Sequence, residues 1–187
     1  MHDRMLNGVI GRPCSAPARW SRLTERELAW CLRFQQTIHQ QRAVRLFAVV
    51  SRLGDGVFWY ALMAALLLAQ GAAAAPAVGR MLLAKAVCLA LYKWLKAKTT
   101  RPRPCARHDR IQPRVAPLDE YSFPSGHTLH AASFTIIAVY HYPSLAWLLL
   151  PFALLVALSR VILGLHYPSD VLAGALLGAS LAALALQ

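Results

Sequence analysis

The sequence predicts an all-α integral membrane helical bundle of about five spans, preceded by amphipathic helices lying at the membrane interface. Three observations point there. Of 187 residues, 57% are hydrophobic and 15% charged, whereas a soluble domain carries about 25% charged residues. The charges are also segregated: residues 57–79 hold none, and residues 127–187 hold only Arg160 and Asp170. The basic excess, 20 Lys+Arg against 8 Asp+Glu, clusters between apolar runs, as charges do where they border a bilayer. This pattern excludes an ordinary soluble domain and a disordered chain.

Residues 1–56 supply no span, because arginines interrupt every apolar run. Thr24 with Glu27 three residues on reads as a capping box. The helix after it sets Leu28, Cys31 and Leu32 on one face. Ala43 to Leu53 is a second amphipathic stretch, with Arg45 and Arg52 on one side. Both suit the interface. No apolar segment of signal-peptide type precedes Trp20.

Val57 to Ala75 is uncharged over 19 residues and stopped by Pro76, close to the ~20 residues that cross a bilayer. Ala77 to Leu95 forms a second span, with Arg80, Lys85 and Lys93 near its ends, where long stems reach the interface. Residues 99–126 mix arginines with prolines and read as an irregular surface loop. His127 to Tyr142, Ser144 to Leu163 and Pro168 to Leu186 complete the set, with Pro151 as a kink. In the last span, Gly174 and Gly178 offer a close helix contact.

Cys14, Cys31, Cys88 and Cys105 form no CxxC pair, so neither a disulfide framework nor a zinc site is expected. The basic residues flank spans, with no nucleic-acid-binding module around them, so no nucleic-acid partner is expected. Sixteen of the 20 cations are arginine in an alanine-rich chain, which points to a GC-rich bacterial genome. Oligomeric state leaves no sequence signal.

The few polar groups of the apolar half share one depth. The second and fourth spans run in the same direction, so their ends meet the starts of the third and fifth. Lys96, Arg103, Ser125, Gly126, His127, Arg160, His166 and Asp170 therefore converge on one membrane face. Ionisable groups in a membrane bundle mark function. Three cations, Lys96, Arg103 and Arg160, suit the oxygens of a phosphoryl group. Ser125, Gly126 and His127 add a helix N-terminus, and Gly126 lets backbone approach an anion. Of the two histidines, one can attack and the other protonate the leaving oxygen. Asp170, four residues after His166, can orient that ring and free its other nitrogen. Only Asp109, Asp119 and Glu120 are other nearby carboxylates. The set therefore favours phosphoryl transfer without metal or other cofactor.

Lys96-x6-Arg103-Pro104, Pro124-Ser125-Gly126-His127 and Ser159-Arg160-x5-His166-x3-Asp170 together resemble the three-part signature of the type 2 phosphatidic acid phosphatase (PAP2) superfamily. The resemblance covers residues from about 55 to 187. It implies a PAP2-like bundle acting on a lipid phosphate or diphosphate, of undecaprenyl diphosphate, phosphatidylglycerophosphate or phosphatidic acid type. It implies His166 as nucleophile forming a phosphohistidine, Asp170 as its orienter and His127 as acid, then base. Lys96, Arg103, Arg160, Ser125 and Gly126 would bind the phosphate. Residues 1–56 then form a basic tail with interfacial helices, and residues 57–187 the catalytic domain.

The resemblance further implies a bacterial inner membrane with the site on the outer face. Nine arginines in residues 1–56 and eight Lys+Arg in residues 93–114 favour the opposite placement by the positive-inside rule. His39, His108, His130 and His141 receive no role, and Arg107, Arg110 and Arg114 read as loop charges. A phosphotransferase using the same site, and a transport or scaffolding protein that binds a phosphate lipid, are the alternatives.

Overall fold

Glycine and proline punctuate the apolar chain into eight α-helices among the residues described by a computed structural model, which are 21–187 apart from 39, 109, 112 and 118. Cys14, His39 and Asp109 lie outside them. Helices α1 (Ser21–Thr37) and α2 (Gln41–Arg52) come first. A π-helical turn, Leu53–Val57, then bends at Gly56, whose φ of 140° disfavours any side chain. Helix α3 (Phe58–Gln70) and α4 (Ala75–Thr99) pair as an antiparallel hairpin, with the Lys85 ammonium 3.9 Å above the Tyr60 ring. Pro76 and Pro168 sit in the first turns of α4 and α8, where no backbone N–H is needed. The short α5 (Pro104–Arg107) lies in the polar loop. Helices α6 (Gly126–His141), α7 (Ala146–Ile162) and α8 (Pro168–Ala185) complete the chain.

Each expected span thus corresponds to one helix. Among the described residues, three helical runs are long and apolar enough to cross a membrane: Gln41–Thr99, Pro143–Ile162 and Pro168–Ala185. The first folds back on itself between α3 and α4. Helix α6 has 16 residues and is the central helix, packed against α4, α7 and α8. Its neighbours turn large apolar side chains outward, including Leu68, Trp147, Leu154, Leu172 and Leu176. In water such a surface would be an aggregation liability; in a bilayer it is the solvated face.

The core lies between α3, α4, α6 and α7 around Trp59, Met63, Met81, Phe134, Leu149 and Val156. The Phe58 and Phe152 ring centroids are 3.9 Å apart, and Trp59 meets Phe134 edge-on at 5.3 Å. Helix α8 approaches α6 closely because it carries Gly174 and Gly178. A Cβ at Gly174 would lie 2.5 Å from the Ser125 carbonyl oxygen, and one at Gly178 would overlap the Leu129 carbonyl.

The N-terminal helices also pack on this bundle. Leu28, Cys31 and Leu32 meet Ile111, Val161 and Tyr167, and α2 lies along α7 with Val50 and Ser51 buried. The expected capping box is absent. Helix α1 already spans Ser21, Thr24 lies inside it, and Glu27 reaches Arg101 and the Ser169 backbone N–H instead.

Candidate functional site

The last turn of α4 carries Lys96, the following loop Arg101, Arg103 and Asp119, and the start of α6 carries Gly126 and His127. The last turn of α7 adds Arg160, the loop after it His166, and the first turn of α8 adds Asp170. Lys96, Arg103, Gly126, His127, Arg160 and His166 all open into one cavity of about 490 Å³. Three of these cations and both histidines therefore face a single volume, as their positions along the chain imply. The wall continues away from them through Trp59, Met63, Leu89 and Phe134.

Two expected residues stand off the cavity. The Ser125 hydroxyl lies 3.0 Å from Thr128 Oγ1, and its N–H donates to the Asp170 carbonyl. Asp170 is fully buried behind His166. Its Oδ2 lies 3.6 Å from His166 Nδ1, close but longer than a hydrogen bond. That oxygen accepts the Tyr167 N–H at 2.9 Å.

His166 Nε2 lies 3.3 Å from Arg103 Nη1. A guanidinium can only donate, so Nε2 presents its lone pair and the ring proton sits on Nδ1, toward Asp170. Arg103 is fixed by the Leu165 carbonyl and by the Asp119 carbonyl and carboxylate. Burial pushes the His166 pKa well below its ordinary value, and Arg103, Arg160 and Lys96 push it the same way. At neutral pH the ring is the neutral base that a nucleophile must be.

Sequence reading missed four groups around these residues. Arg101, 2% exposed, donates to Asp170 Oδ1, Ser169 Oγ and Glu27 Oε2, and lies 4.0 Å over the Tyr167 ring. Asp119 is bound by Lys96 Nζ and Arg103 Nη2, each at 2.6 Å. Burial alone would raise its carboxyl, but the Lys96 and Arg103 charges outweigh that and hold it below the usual range. Ser51 accepts from Arg160 Nη1. Asp55, from the π-turn, lines the cavity and meets His127 Nε2. The available signal for Asp55 was a carboxylate set between two glycines just before the first uncharged run.

Residues 77–187 match the family model described as PAP2 superfamily. A 69-residue stretch is 41% identical to an undecaprenyl-diphosphatase of Sulfolobus acidocaldarius, covering 36% of this chain and 34% of that protein. A 91-residue stretch is 38% identical to phosphatidylglycerophosphatase B of Bacillus subtilis, covering 37% of this chain and 41% of that one. The matched region thus spans about a third to two fifths of these relatives. The fold is similar to the crystal structure of a transmembrane PAP2 type phosphatidylglycerolphosphate phosphatase from Bacillus subtilis. There the TM-score is 0.69 at 28% identity, over 89% of this chain and 85% of that one.

Proposed function

The chain belongs to the PAP2 superfamily, and from that premise we propose that it is a membrane phosphatase acting on a lipid phosphate or diphosphate. The observation that carries the reading is the single cavity shared by Lys96, Arg103, Arg160, His127 and His166, with an apolar wall leading from it. A phosphate needs the cations; an acyl or prenyl chain suits the wall.

In the proposed reaction, Lys96, Arg103, Arg160 and the Gly126 end of α6 hold the non-bridging oxygens. Ser125 joins them by turning its hydroxyl from Thr128. The His166 Nε2 lone pair attacks phosphorus and forms a phosphohistidine. The leaving oxygen takes a proton from His127 as its bond to phosphorus breaks. Water, deprotonated by His127, then attacks the same phosphorus and returns the N–P electron pair to His166. Asp170, held by Arg101, orients the His166 ring. No metal takes part in this scheme.

The relatives' names supply the substrate panel: undecaprenyl diphosphate and phosphatidylglycerophosphate, with phosphatidic acid added. The test is phosphate release by the purified protein in detergent. Release that survives EDTA, is blocked by vanadate and disappears in His166→Ala is expected. Undiminished release in His166→Ala would sink the mechanism, and binding without turnover on every lipid would favour a carrier. The proposed location is a bacterial inner membrane with the site outward. A cysteine placed at Ala106 should then react with an impermeant reagent on intact cells; protection would put the site inside.

A further inference from the structure

We infer that Asp55 is a positioning residue that holds His127 in the orientation and charge state its proton transfers require, giving the site two carboxylate–histidine pairs. The inference rests on the phosphatase reading above.

His127 has to carry a proton before it can give one to the leaving oxygen. Its surroundings oppose that. Lys96, Arg103 and Arg160 line the same cavity, and each disfavours a further positive charge. Two other carboxylates described near the site are engaged elsewhere: Asp119 by Lys96 and Arg103, Asp170 by Arg101 and the Tyr167 N–H. Among the described residues, Asp55 is the carboxylate in contact with His127, through Nε2. With Nε2–H donated to Asp55, Nδ1 is left to carry the mobile proton.

The backbone is shaped for this contact. Asp55 sits in the π-turn that joins α2 to α3, one residue before the positive φ of Gly56. The last turn of α2, just before it, supplies Ser51, which holds Arg160. One end of the N-terminal segment therefore supports both an anion-binding cation and the acid–base histidine, which an anchor alone would not do.

The consequence is a dependence on the leaving group. In the first step the His166–P bond forms, the P–O bond breaks, and Nδ1–H passes to the departing oxygen. An alkoxide needs that proton, whereas a nitrophenolate departs without it. The test compares a long-chain alkyl phosphate with a nitrophenyl phosphate bearing the same chain. For Asp55→Asn, kcat/KM on the alkyl substrate should fall by on the order of 10²-fold and on the aryl substrate by less than about threefold. Adding Asp55→Asn to His127→Gln should cost nothing further on the alkyl substrate. Asp55→Ser is measured in parallel, so the test survives if the Asn variant does not fold. Wild-type protein inactive on both substrates would count against the phosphatase reading itself. Active wild type with equal losses on both substrates, or none, would overturn the role of Asp55, as would a further loss in the double variant.

Discussion

Arg103 Nη1 lies 3.3 Å from His166 Nε2, so the cation proposed to bind the phosphate also sets the tautomer of the proposed nucleophile. Because a guanidinium carries only donors, the contact persists only while Nε2 is unprotonated. Burial first, then Arg103, Arg160 and Lys96, keep the His166 pKa well below its ordinary value. A depressed histidine pKa means that the unfolded chain binds the proton more readily, so acid works against the folded state below about pH 6.5. Arg103→Gln removes one opposing charge. We expect the acid limb of kcat/KM to move to higher pH, with a maximal rate lower by on the order of 10²-fold from lost phosphate stabilisation. An unmoved acid limb would show that another group titrates there.

Asp170 depends on Arg101 in a different sense. The carboxylate is fully buried, and Arg101 is its charge partner at 2.6 Å. Arg101→Ala would strand Asp170 and release Glu27, a change that costs about 3–5 kcal/mol where a buried pair is broken. Arg107, exposed in the same loop, should lose no more than about 0.5 kcal/mol on the same truncation. Thermal unfolding in one detergent compares them. Equal losses would mean that the Arg101 pair contributes nothing of its own.

The contact between α6 and α8 holds the Ser125 end of α6 and Asp170 together, since the Ser125 N–H donates to the Asp170 carbonyl. A methyl group at Gly178 would overlap the Leu129 carbonyl. Gly178→Ala should therefore destabilise the protein by about 1–3 kcal/mol, the usual cost of overpacking. Activity should fall with it. A variant as stable and active as wild type would show that the helices can move apart freely.

Asp119 occupies Lys96 and Arg103, two of the cations assigned to the phosphate. Its carboxyl is held below the usual range, so the interaction is intact above the unfolded value of about 4 and lost as pH falls through the lower folded value. Asp119→Asn should flatten that acid-side loss of stability. The same change removes a resident competitor, so vanadate should inhibit the variant at lower concentration. Weaker inhibition would mean that Asp119 arranges the cations for the anion rather than competing with it.

The spans were legible because a bilayer tolerates few charges, and for the same reason Arg160 and Asp170 stood out within their apolar runs. The convergence of His127 and His166 followed from counting helix ends. Other features depend on partners far away in sequence. Thr24 and Glu27 fit a local capping pattern, yet Glu27 is taken by Arg101, 74 residues on. Arg101 and Arg107 look alike in the loop; only the fold buries one. Asp55 sat among the dense charges of the N-terminal segment, and nothing local reveals that the π-turn brings it to His127, 72 residues on.

The central claim is that the phosphoryl group passes through His166. Rapid mixing with a lipid phosphate labelled in the phosphoryl group, alkaline quench and peptide mapping test it directly. The expected result is a transient, acid-labile phosphohistidine at His166, absent from His166→Ala and accumulating when His127 is replaced on an aryl substrate. Turnover with no label on the protein at any time, or label on a different residue, would contradict it.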